Sequence, residues 1–314
     1  MSELLTIDSL SVRDERHIIL SGFSLKVARG EKVALVGESG SGKTMSLRSL
    51  LHILPSDVEI TSGSITFNGT DVLGCSARER RERLYSRIGF VAQNTTESLH
   101  PLMKVSTQLC DAYRQRHKAG RKEAAARARE LLVSTGMKDA DRVLSSRAGQ
   151  LSGGMRQRVN IASAMMDDID LLIADEPTSA LDAHVRRQIE QLYARLSDTK
   201  QFAMLVISHD LSFVRSLADR VYVMYAGKLV EEGLCEEIFS SPAHPYTRAL
   251  ISLGNIVRKN KDEDLDCLGD YVRPVSRDNA SCAFAGRCRE SRDECARAVS
   301  YRKLSETHFV RCNL

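Results

Sequence analysis

One segment restricts the fold of this chain more than any other: a glycine-rich loop between an apolar run and a helix-like segment. The loop reads GESGSGKT over residues 37–44 and directly follows the apolar run Lys32–Val36. It leads into residues 44–51, which have the pattern of a helix. In this strand–loop–helix order, glycines let successive backbone N–H groups turn towards phosphate oxygens, and the positive end of the helix faces them. The segment therefore predicts an α/β protein with a nucleotide site.

The residues of this loop have distinct predicted roles. The ammonium group of Lys43 is expected to reach the β- and γ-phosphates, and the Thr44 hydroxyl is placed for Mg²⁺. A GxxxxGK[ST] pattern arises by chance in roughly one chain in a hundred of this length. A glycine turn without a ligand is therefore the weaker interpretation. The residues predicted to bind the nucleotide in this loop are Ser39, Gly40, Ser41, Gly42, Lys43 and Thr44.

Further apolar runs predict a sheet that is covered on both faces. Residues 171–174 and 204–207 are continuously apolar, and polar residues follow each run. Such runs are typical of parallel strands with helices on both sides. Residues 94–164 lack strong strand patterns and are predicted to form a helical subdomain. We therefore expect an α/β fold with a P-loop (RecA-like), mostly parallel sheet core.

Polar side chains that follow these runs predict a catalytic set. Asp175 ends the run LLIAD and is expected to hold Mg²⁺, while Glu176 would orient or polarise the attacking water. His209 follows the run MLVIS and would contact the γ-phosphate or that water. Gln93 follows the strand-like residues 88–92 and would bind Mg²⁺ or sense the γ-phosphate. Each residue alone favours a structural role, but the phosphate loop upstream favours the catalytic one.

A second glycine motif, LSGGMRQR at residues 151–158, predicts a second anion site. Ser152 is a good helix N-cap, and Gly153 and Gly154 leave backbone N–H groups uncovered at the start of a helix over residues 155–166. One subunit cannot close both anion sites on the same phosphate if they lie at separate ends of its surface. Two subunits packed head to tail can. Each nucleotide would then lie between the phosphate loop of one subunit and the glycine motif of the other.

These motifs, in this order, resemble the ATP-binding subunits of ABC transporters. The resemblance covers about residues 1–235 and rests on GESGSGKT, Gln93, LSGGMRQR, IADEPTSALD and His209. The segment QNTTESLHP, the form SGGMRQR and the sequence AHPYTRALIS at residues 243–252 are similar to the dipeptide, oligopeptide and nickel uptake subfamily. The tail from Ser281 is similar to the C-terminal extension of that subfamily.

The resemblance implies an ATPase that uses Mg²⁺ and drives a membrane importer. Its expected partners are a second ATPase subunit (a copy or a related chain), two transmembrane permease subunits and, indirectly, an extracytoplasmic substrate-binding protein. Peptides are the first expected cargo, and nickel or a metal chelate is the alternative. The nucleotide-binding domain would span residues 1–235, with the helical subdomain at about 94–164 and the C-terminal extension at 236–314. By the same resemblance, Asp182 is among the residues that contact ATP.

One departure from the family concerns the adenine base. Family members usually stack adenine on an aromatic residue ahead of the phosphate loop, whereas residues 12–15 of this chain read VRDE. Arg13 or His17 is therefore the candidate for contacting the base.

The cysteines are concentrated at the end of the chain. Four of the eight follow residue 280, with the spacing C-x5-C-x6-C-x16-C. Four thiolates can hold a [4Fe–4S] cluster or Zn²⁺. Zinc sites favour cysteine pairs two to four residues apart, and this tail has none. Cluster spacing is more permissive, and the resemblance implies a cluster because some members of the subfamily are understood to carry one on this pattern. For Cys282, Cys288, Cys295 and Cys312, the cluster therefore ranks first, zinc second and free thiols third.

Chain-wide features weigh against other classes of function. A net charge of +4 over 314 residues is too small to indicate nucleic acid. No apolar run has the length of a membrane span, and the N-terminus lacks the pattern of a secretory signal, so we expect synthesis in the cytoplasm and membrane contact only through a partner. Together with this expectation, the resemblance to importers implies a peripheral protein on the cytoplasmic face of the bacterial inner membrane. The main rival is a soluble ABC-type ATPase acting on nucleic acid or ribosomes, but the chain has no coiled-coil insertion and one phosphate loop. A redox-sensing regulator built on the cysteine tail would leave the hydrolytic residues unexplained.

Overall fold

The computed structural model describes residues 2–94, 98–179, 181–200, 202–259 and 281–314. The chain divides into two compact units: Met1–Cys75 with Ile207–Leu314, and Ser76–Val206. The phosphate loop and the cysteine tail belong to the first unit. The LSGGMRQR motif and the predicted catalytic carboxylates belong to the second.

The described part of the chain forms strands and helices whose bounds are as follows. The strands are β1 (Glu3–Arg13), β2 (Ile18–Ala28), β3 (Lys32–Val36), β4 (Glu59–Phe67), β5 (Thr70–Asp71), β6 (Ile88–Val91), β7 (Leu171–Asp175), β8 (Ala203–Ile207), β9 (Arg220–Tyr225), β10 (Lys228–Leu234), β11 (Arg302–Lys303) and β12 (Phe309–Val310). The helices are α1 (Lys43–Leu50), α2 (Ala77–Glu79), α3 (Val105–His117), α4 (Arg121–Ser134), α5 (Ala140–Ser145), α6 (Gly153–Ala164), α7 (Ala183–Lys200), α8 (Leu211–Leu217), α9 (Cys235–Ser240) and α10 (Pro245–Lys259). A π-helical turn follows α2 at Arg80–Leu84, and short 3₁₀ turns occur at Ala148–Gln150, Ala285–Arg287 and Asp293–Ala296.

The first unit contains two groups of strands. Three long strands and the two-residue strand β5 form an antiparallel sheet in the order β2-β1-β4-β5. A second group has the order β11-β12-β10-β9-β3, in which β3 and β9 are parallel and the other pairs are antiparallel. Strand β3 is buried at four of its five positions, which agrees with the continuously apolar run expected there. The prediction of a mostly parallel core is therefore corrected to a mixed one.

The second unit combines parallel strands with helices. Strands β6 and β7 are parallel, and β8 lies next to β7. All five residues of β7 and all five of β8 are buried, as expected for strands covered on both faces. Helices α3 to α6 follow β6, in the region where the sequence predicted a helical subdomain. None of the helices in the described part of the chain is long and apolar enough to cross a bilayer.

The C-terminal part of the chain departs from the sequence-based expectation in one place. The charged and polar composition of residues 254–270 indicates a linker or an exposed connection, but helix α10 continues to Lys259. The rest of that predicted linker lies outside the described residues. Helix α10 packs through Tyr246, Leu250 and Ile251 against a buried cluster of the first unit. This packing explains why the helix forms despite the charged residues at its end.

A fully buried carboxylate attaches the end of the chain to strand β10. Glu231 is 0% exposed, and its carboxylate accepts hydrogen bonds from the backbone N–H groups of Ala243 (2.7 Å) and His244 (2.9 Å). His308 Nε2 lies 2.7 Å from Oε1 of the same carboxylate. Burial lowers the pKa of His244 to about 4, so this ring is neutral at neutral pH and its Nδ1 accepts from the N–H of Tyr246. Glu231 thus fixes both the start of helix α10 and the last strand.

Candidate functional site

The phosphate loop depends on glycine at two positions. Gly42 adopts a φ of 106° as the N-cap of helix α1, and that helix has no side-chain cap. A Cβ at Gly37 would lie 2.2 Å from the carbonyl oxygen of Met224. Ser39 and Gly40 are exposed, so the middle of the loop is open to a ligand. The loop therefore has the tight backbone and the uncapped helix start on which an anion site is built.

Lys43 lies folded over this loop. Its ammonium group donates to the carbonyl oxygens of Gly37 (2.7 Å) and Glu38 (2.8 Å), and the residue is buried. Thr44, the next residue, is exposed. The lysine is thus held at the loop, and the threonine hydroxyl can reach a metal ion beside it.

In the structure, the loop is contacted by two residues that the sequence analysis did not identify. The backbone N–H of Glu38 donates to Tyr246 Oη (2.8 Å), and the Glu38 carboxylate pairs with Arg287 at 2.9 Å. The pKa of Tyr246 is raised, chiefly by burial. The sequence did contain one indication of such a partner, namely Glu38 itself. A carboxylate inside an anion-binding loop favours a nearby cation.

His209 and the two candidate base-contacting residues also belong to the first unit. His209 is exposed and comes two residues after the end of strand β8. Arg13 and His17 line one open pocket of about 380 Å³. Arg13 also pairs with Glu59 at 2.6 Å, and Nδ1 of His17 lies 3.5 Å from the Asp14 carboxylate. The two candidates share one pocket, and both are engaged by acidic neighbours.

In the second unit, the two predicted catalytic carboxylates stand at the end of a buried strand. Asp175 is the last residue of β7, and Glu176 follows it; both are buried. Glu176 has a φ of 47°, a left-handed conformation that is uncommon for a residue with a side chain. Its carbonyl oxygen accepts from the N–H of Ser179 at 3.3 Å. Backbone strain of this kind is concentrated at functional positions.

The glycine motif forms the predicted helix start. Ser152 caps helix α6 by accepting the N–H of Met155 at 3.3 Å, and the helix begins at Gly153, two residues earlier than expected. A Cβ at Gly153 would meet nothing within 4 Å, whereas one at Gly154 would lie 2.6 Å from Val185 Cγ1. The first glycine therefore keeps the helix start open, and the second allows close packing.

Helix α6 is also hydrogen-bonded to the segment that follows the two carboxylates. The side chain of Gln157 is buried, and its Nε2 donates to the carbonyl oxygen of Pro177 at 2.9 Å. Tyr193 is buried next to Gln157, and burial raises its pKa. The motif and the segment that follows strand β7 are thus directly connected within one unit.

The two remaining predicted residues lie on the surface of this unit. Gln93 is exposed and comes two residues after the end of β6. Part of the QNTTESLHP segment, residues 95–97, lies outside the described residues. Asp182 is exposed and accepts the N–H groups of His184 (3.1 Å) and Val185 (3.0 Å), which makes it the cap of helix α7. Asp182 therefore caps a helix of its own chain, in addition to its predicted contact with ATP.

The structure brings the predicted residues together as two sets. The phosphate loop and His209 belong to the first unit. Gln93, the glycine motif, Asp175, Glu176 and Asp182 belong to the second.

The four late cysteines lie in one region but do not form a metal site. Burial raises the pKa of Cys282, and Cys312, Cys295 and Cys288 raise it further, so the four thiols are within electrostatic reach of one another. Burial also raises the pKa of Cys288. Among the residues described, no three His, Cys, Asp or Glu side chains are placed to hold a metal ion, so neither the cluster nor zinc is supported.

Comparison with known families gives two matches along the chain. Residues 20–179 match the family described as ABC transporter. Residues 230–295 match the C-terminal region of oligopeptide and dipeptide transporters. The first match spans the phosphate loop, the glycine motif and both carboxylates, and the second spans Tyr246 and Arg287.

Individual relatives agree with these matches. The chain is 37% identical to a probable peptide ABC transporter ATP-binding protein of Sinorhizobium fredii, over 86% of this chain and 81% of that protein. It is 35% identical to the dipeptide transport ATP-binding protein DppD of Bacillus subtilis, over 93% of this chain and 87% of that protein.

Solved structures show the same fold. An ATP-binding cassette in a dimeric post-hydrolysis state with ADP and Pi matches with a TM-score of 0.65 and 25% identity, over 74% of this chain and 99% of that one. The protein cbiO1 of Clostridium perfringens, part of the cbiONQ transporter complex, matches in fold with a TM-score of 0.67 and 24% identity, over 82% of this chain and all of that one.

Proposed function

Since the chain belongs to the ATP-binding proteins of the ABC transporter family, we propose that it hydrolyses ATP to drive the import of dipeptides or oligopeptides. The observation that carries the peptide assignment is the match of residues 230–295 to the C-terminal region of peptide transporters. The names of the relatives in Sinorhizobium fredii and Bacillus subtilis support the same cargo class.

We propose the following division of tasks at the ATP site. The phosphate loop and Lys43 bind the phosphates, and Thr44, Gln93 and Asp175 hold Mg²⁺. Glu176 orients and polarises the attacking water, and His209 contacts the γ-phosphate. The remaining ATP-binding residues are Ser39, Gly40, Ser41, Gly42, Ser152, Gly153, Gly154 and Asp182. This assignment requires ATP and Mg²⁺ and needs neither iron nor zinc.

The open start of helix α6 supports a site shared between two subunits. Ser152 is exposed, and no atom would hinder a Cβ on Gly153, so the helix start can face a neighbouring subunit. The dimeric cassette with bound ADP and Pi, whose fold this chain shares, supports such an arrangement. We propose that the second ATPase subunit, a copy or a related chain, places its own glycine motif over the ATP of this one.

Placing an arginine at the helix start tests the shared site. We expect Ser152→Arg to reduce ATP turnover at least about 100-fold while the isolated chain keeps its affinity for ATP, because the bulky side chain blocks the neighbour and not its own phosphate loop. Turnover and binding of a fluorescent ATP analogue are measured on the same preparation. The matched control is Ser145→Arg, at an exposed position on helix α5. Loss of ATP binding by the monomeric variant would contradict the shared site.

The remaining partners follow from an import function. We propose two transmembrane permease subunits and an extracytoplasmic substrate-binding protein, with this chain on the cytoplasmic face of the bacterial inner membrane. We propose a nucleotide-binding domain over residues 1–235, with a helical subdomain at about 94–164 and a C-terminal extension at 236–314.

Uptake by cells that lack the gene tests the cargo. In such cells we expect the uptake rate of labelled di- or oligopeptides to fall about tenfold or more, because no ATPase remains to drive the permeases. Wild-type chain should restore uptake, and the Lys43→Ala variant should not. Loss of nickel uptake with normal peptide uptake would assign the metal cargo instead. Normal uptake of both would contradict the proposal.

A further inference from the structure

A partly buried ion pair joins the phosphate loop to the C-terminal part of the first unit. Arg287 donates from Nη1 to Oε2 of Glu38 (2.9 Å) and from Nη2 to Oε1 (3.1 Å). The side chains are only 13% and 21% exposed. Two parallel hydrogen bonds of this kind fix a carboxylate in direction as well as in position. The second residue of the loop is therefore held by a residue from the cysteine-rich tail.

Aromatic side chains complete this attachment. Arg287 Nη1 also donates to Tyr225 Oη (3.1 Å), and the guanidinium carbon lies 5.7 Å from the centre of the Tyr225 ring. Phe284 packs edge-on against the Tyr225 ring at 5.2 Å. Tyr246 accepts the backbone N–H of Glu38. Both the backbone and the carboxylate of Glu38 are thus fixed, and the hydrogen bond to Glu38 raises the pKa of Arg287.

The charge of Glu38 explains why this attachment matters for ATP. An unpaired carboxylate in this loop would repel the triphosphate, since like charges a few ångströms apart interact strongly near a protein surface. It would also compete with the phosphates for Lys43, whose ammonium group already contacts the Glu38 carbonyl. A guanidinium that occupies both carboxylate oxygens removes both effects.

We propose that Arg287 is a positioning residue for ATP binding, which holds the Glu38 carboxylate so that the phosphate loop offers the triphosphate its N–H groups and Lys43. The inference rests on the proposed function, because the loop must bind ATP. It gives the C-terminal extension a direct part in the ATP site of its own subunit.

The primary test is nucleotide binding by the full chain with Arg287→Ala. We expect the Kd for a fluorescent ATP analogue with Mg²⁺ to rise on the order of tenfold, the size that one uncompensated charge produces near a surface. KM for ATP should rise in parallel, with a much smaller change in kcat at saturating ATP. Because the loss arises from charge repulsion, it should shrink as salt concentration is raised.

A second substitution separates charge from packing. In a Glu38→Gln background, we expect Arg287→Ala to raise Kd by less than about twofold, because no carboxylate remains to repel the phosphates. Arg287→Lys keeps the charge and most of the side-chain volume but loses the two-bond geometry, so its Kd should lie between those of wild type and Arg287→Ala. This variant also provides the test if Arg287→Ala folds poorly.

The matched control is Arg248→Ala, which removes another arginine–glutamate pair of the C-terminal segment, with Glu290 at 2.9 Å. Its Kd should equal that of wild type. An unchanged Kd in Arg287→Ala, or an equal loss in the Glu38→Gln background, would overturn the inference and leave the proposed function intact. Failure of the wild-type chain to bind the analogue would overturn the proposed function itself.

Discussion

Replacing Glu176 by glutamine will stop ATP hydrolysis while leaving ATP binding intact. The amide keeps the shape of the carboxylate but cannot accept a proton from the attacking water, so turnover should fall about 10²- to 10⁴-fold. The residue is buried with a φ of 47°, and glutamine meets the same backbone constraint as glutamate, so the variant should fold. Single-turnover hydrolysis and binding of a fluorescent ATP analogue separate the two effects.

A surface carboxylate of the same unit provides the control for this experiment. Glu130 is exposed on helix α4 and pairs only weakly with Arg127, at 3.6 Å. Glu130→Gln should hydrolyse ATP at the wild-type rate. If Glu176→Gln also hydrolysed ATP at that rate, Glu176 would not be the residue that activates water. We also expect Glu176→Gln to accumulate as an ATP-bound dimer, which size-exclusion chromatography in the presence of ATP detects.

Replacing Glu231 by alanine will strongly destabilise the first unit. The carboxylate is 0% exposed, and the substitution leaves the backbone N–H groups of Ala243 and His244 and the ring nitrogen of His308 without their acceptor. Each buried donor that is left without an acceptor costs about 1–3 kcal/mol of unfolding free energy. Denaturation in urea, followed by tyrosine fluorescence, measures the loss.

Two further variants make the stability result specific. Glu231→Gln keeps an acceptor oxygen and should lose less than Glu231→Ala. Glu306→Ala removes an exposed carboxylate from the same tail, which pairs with Lys303 at 2.7 Å, and should change the unfolding free energy by at most about 0.5 kcal/mol. Equal stability of Glu231→Ala and Glu306→Ala would show that the buried network contributes nothing.

The parts of the fold that could be predicted are those specified by a local pattern. A continuously apolar run followed by glycines defines β3, the phosphate loop and α1, and these elements occur where the sequence placed them. Ser152 caps its helix as predicted, because capping depends on residues three positions apart. Local chemistry was sufficient at these positions.

The parts that could not be predicted depend on contacts between distant residues. Strands β11 and β12 have two residues each, too few to show a period, and they form only by pairing with each other and with β10. The charged end of helix α10 suggested a linker, and its helical state depends on packing elsewhere in the unit. The pair of Arg287 with Glu38 joins positions 249 residues apart, for which no local pattern exists. The cluster expected on the four late cysteines came from a resemblance to the subfamily, and the positions of the described side chains do not support it.

The hydrogen bond from Gln157 to Pro177 has a consequence for how two ATP molecules influence each other. In a head-to-tail pair, helix α6 would serve the ATP of the neighbour, whereas Glu176 would serve the chain's own. Because Gln157 holds Pro177, the residue that directly follows Glu176, a displacement of the helix start in such a pair would also act on the segment that carries this carboxylate.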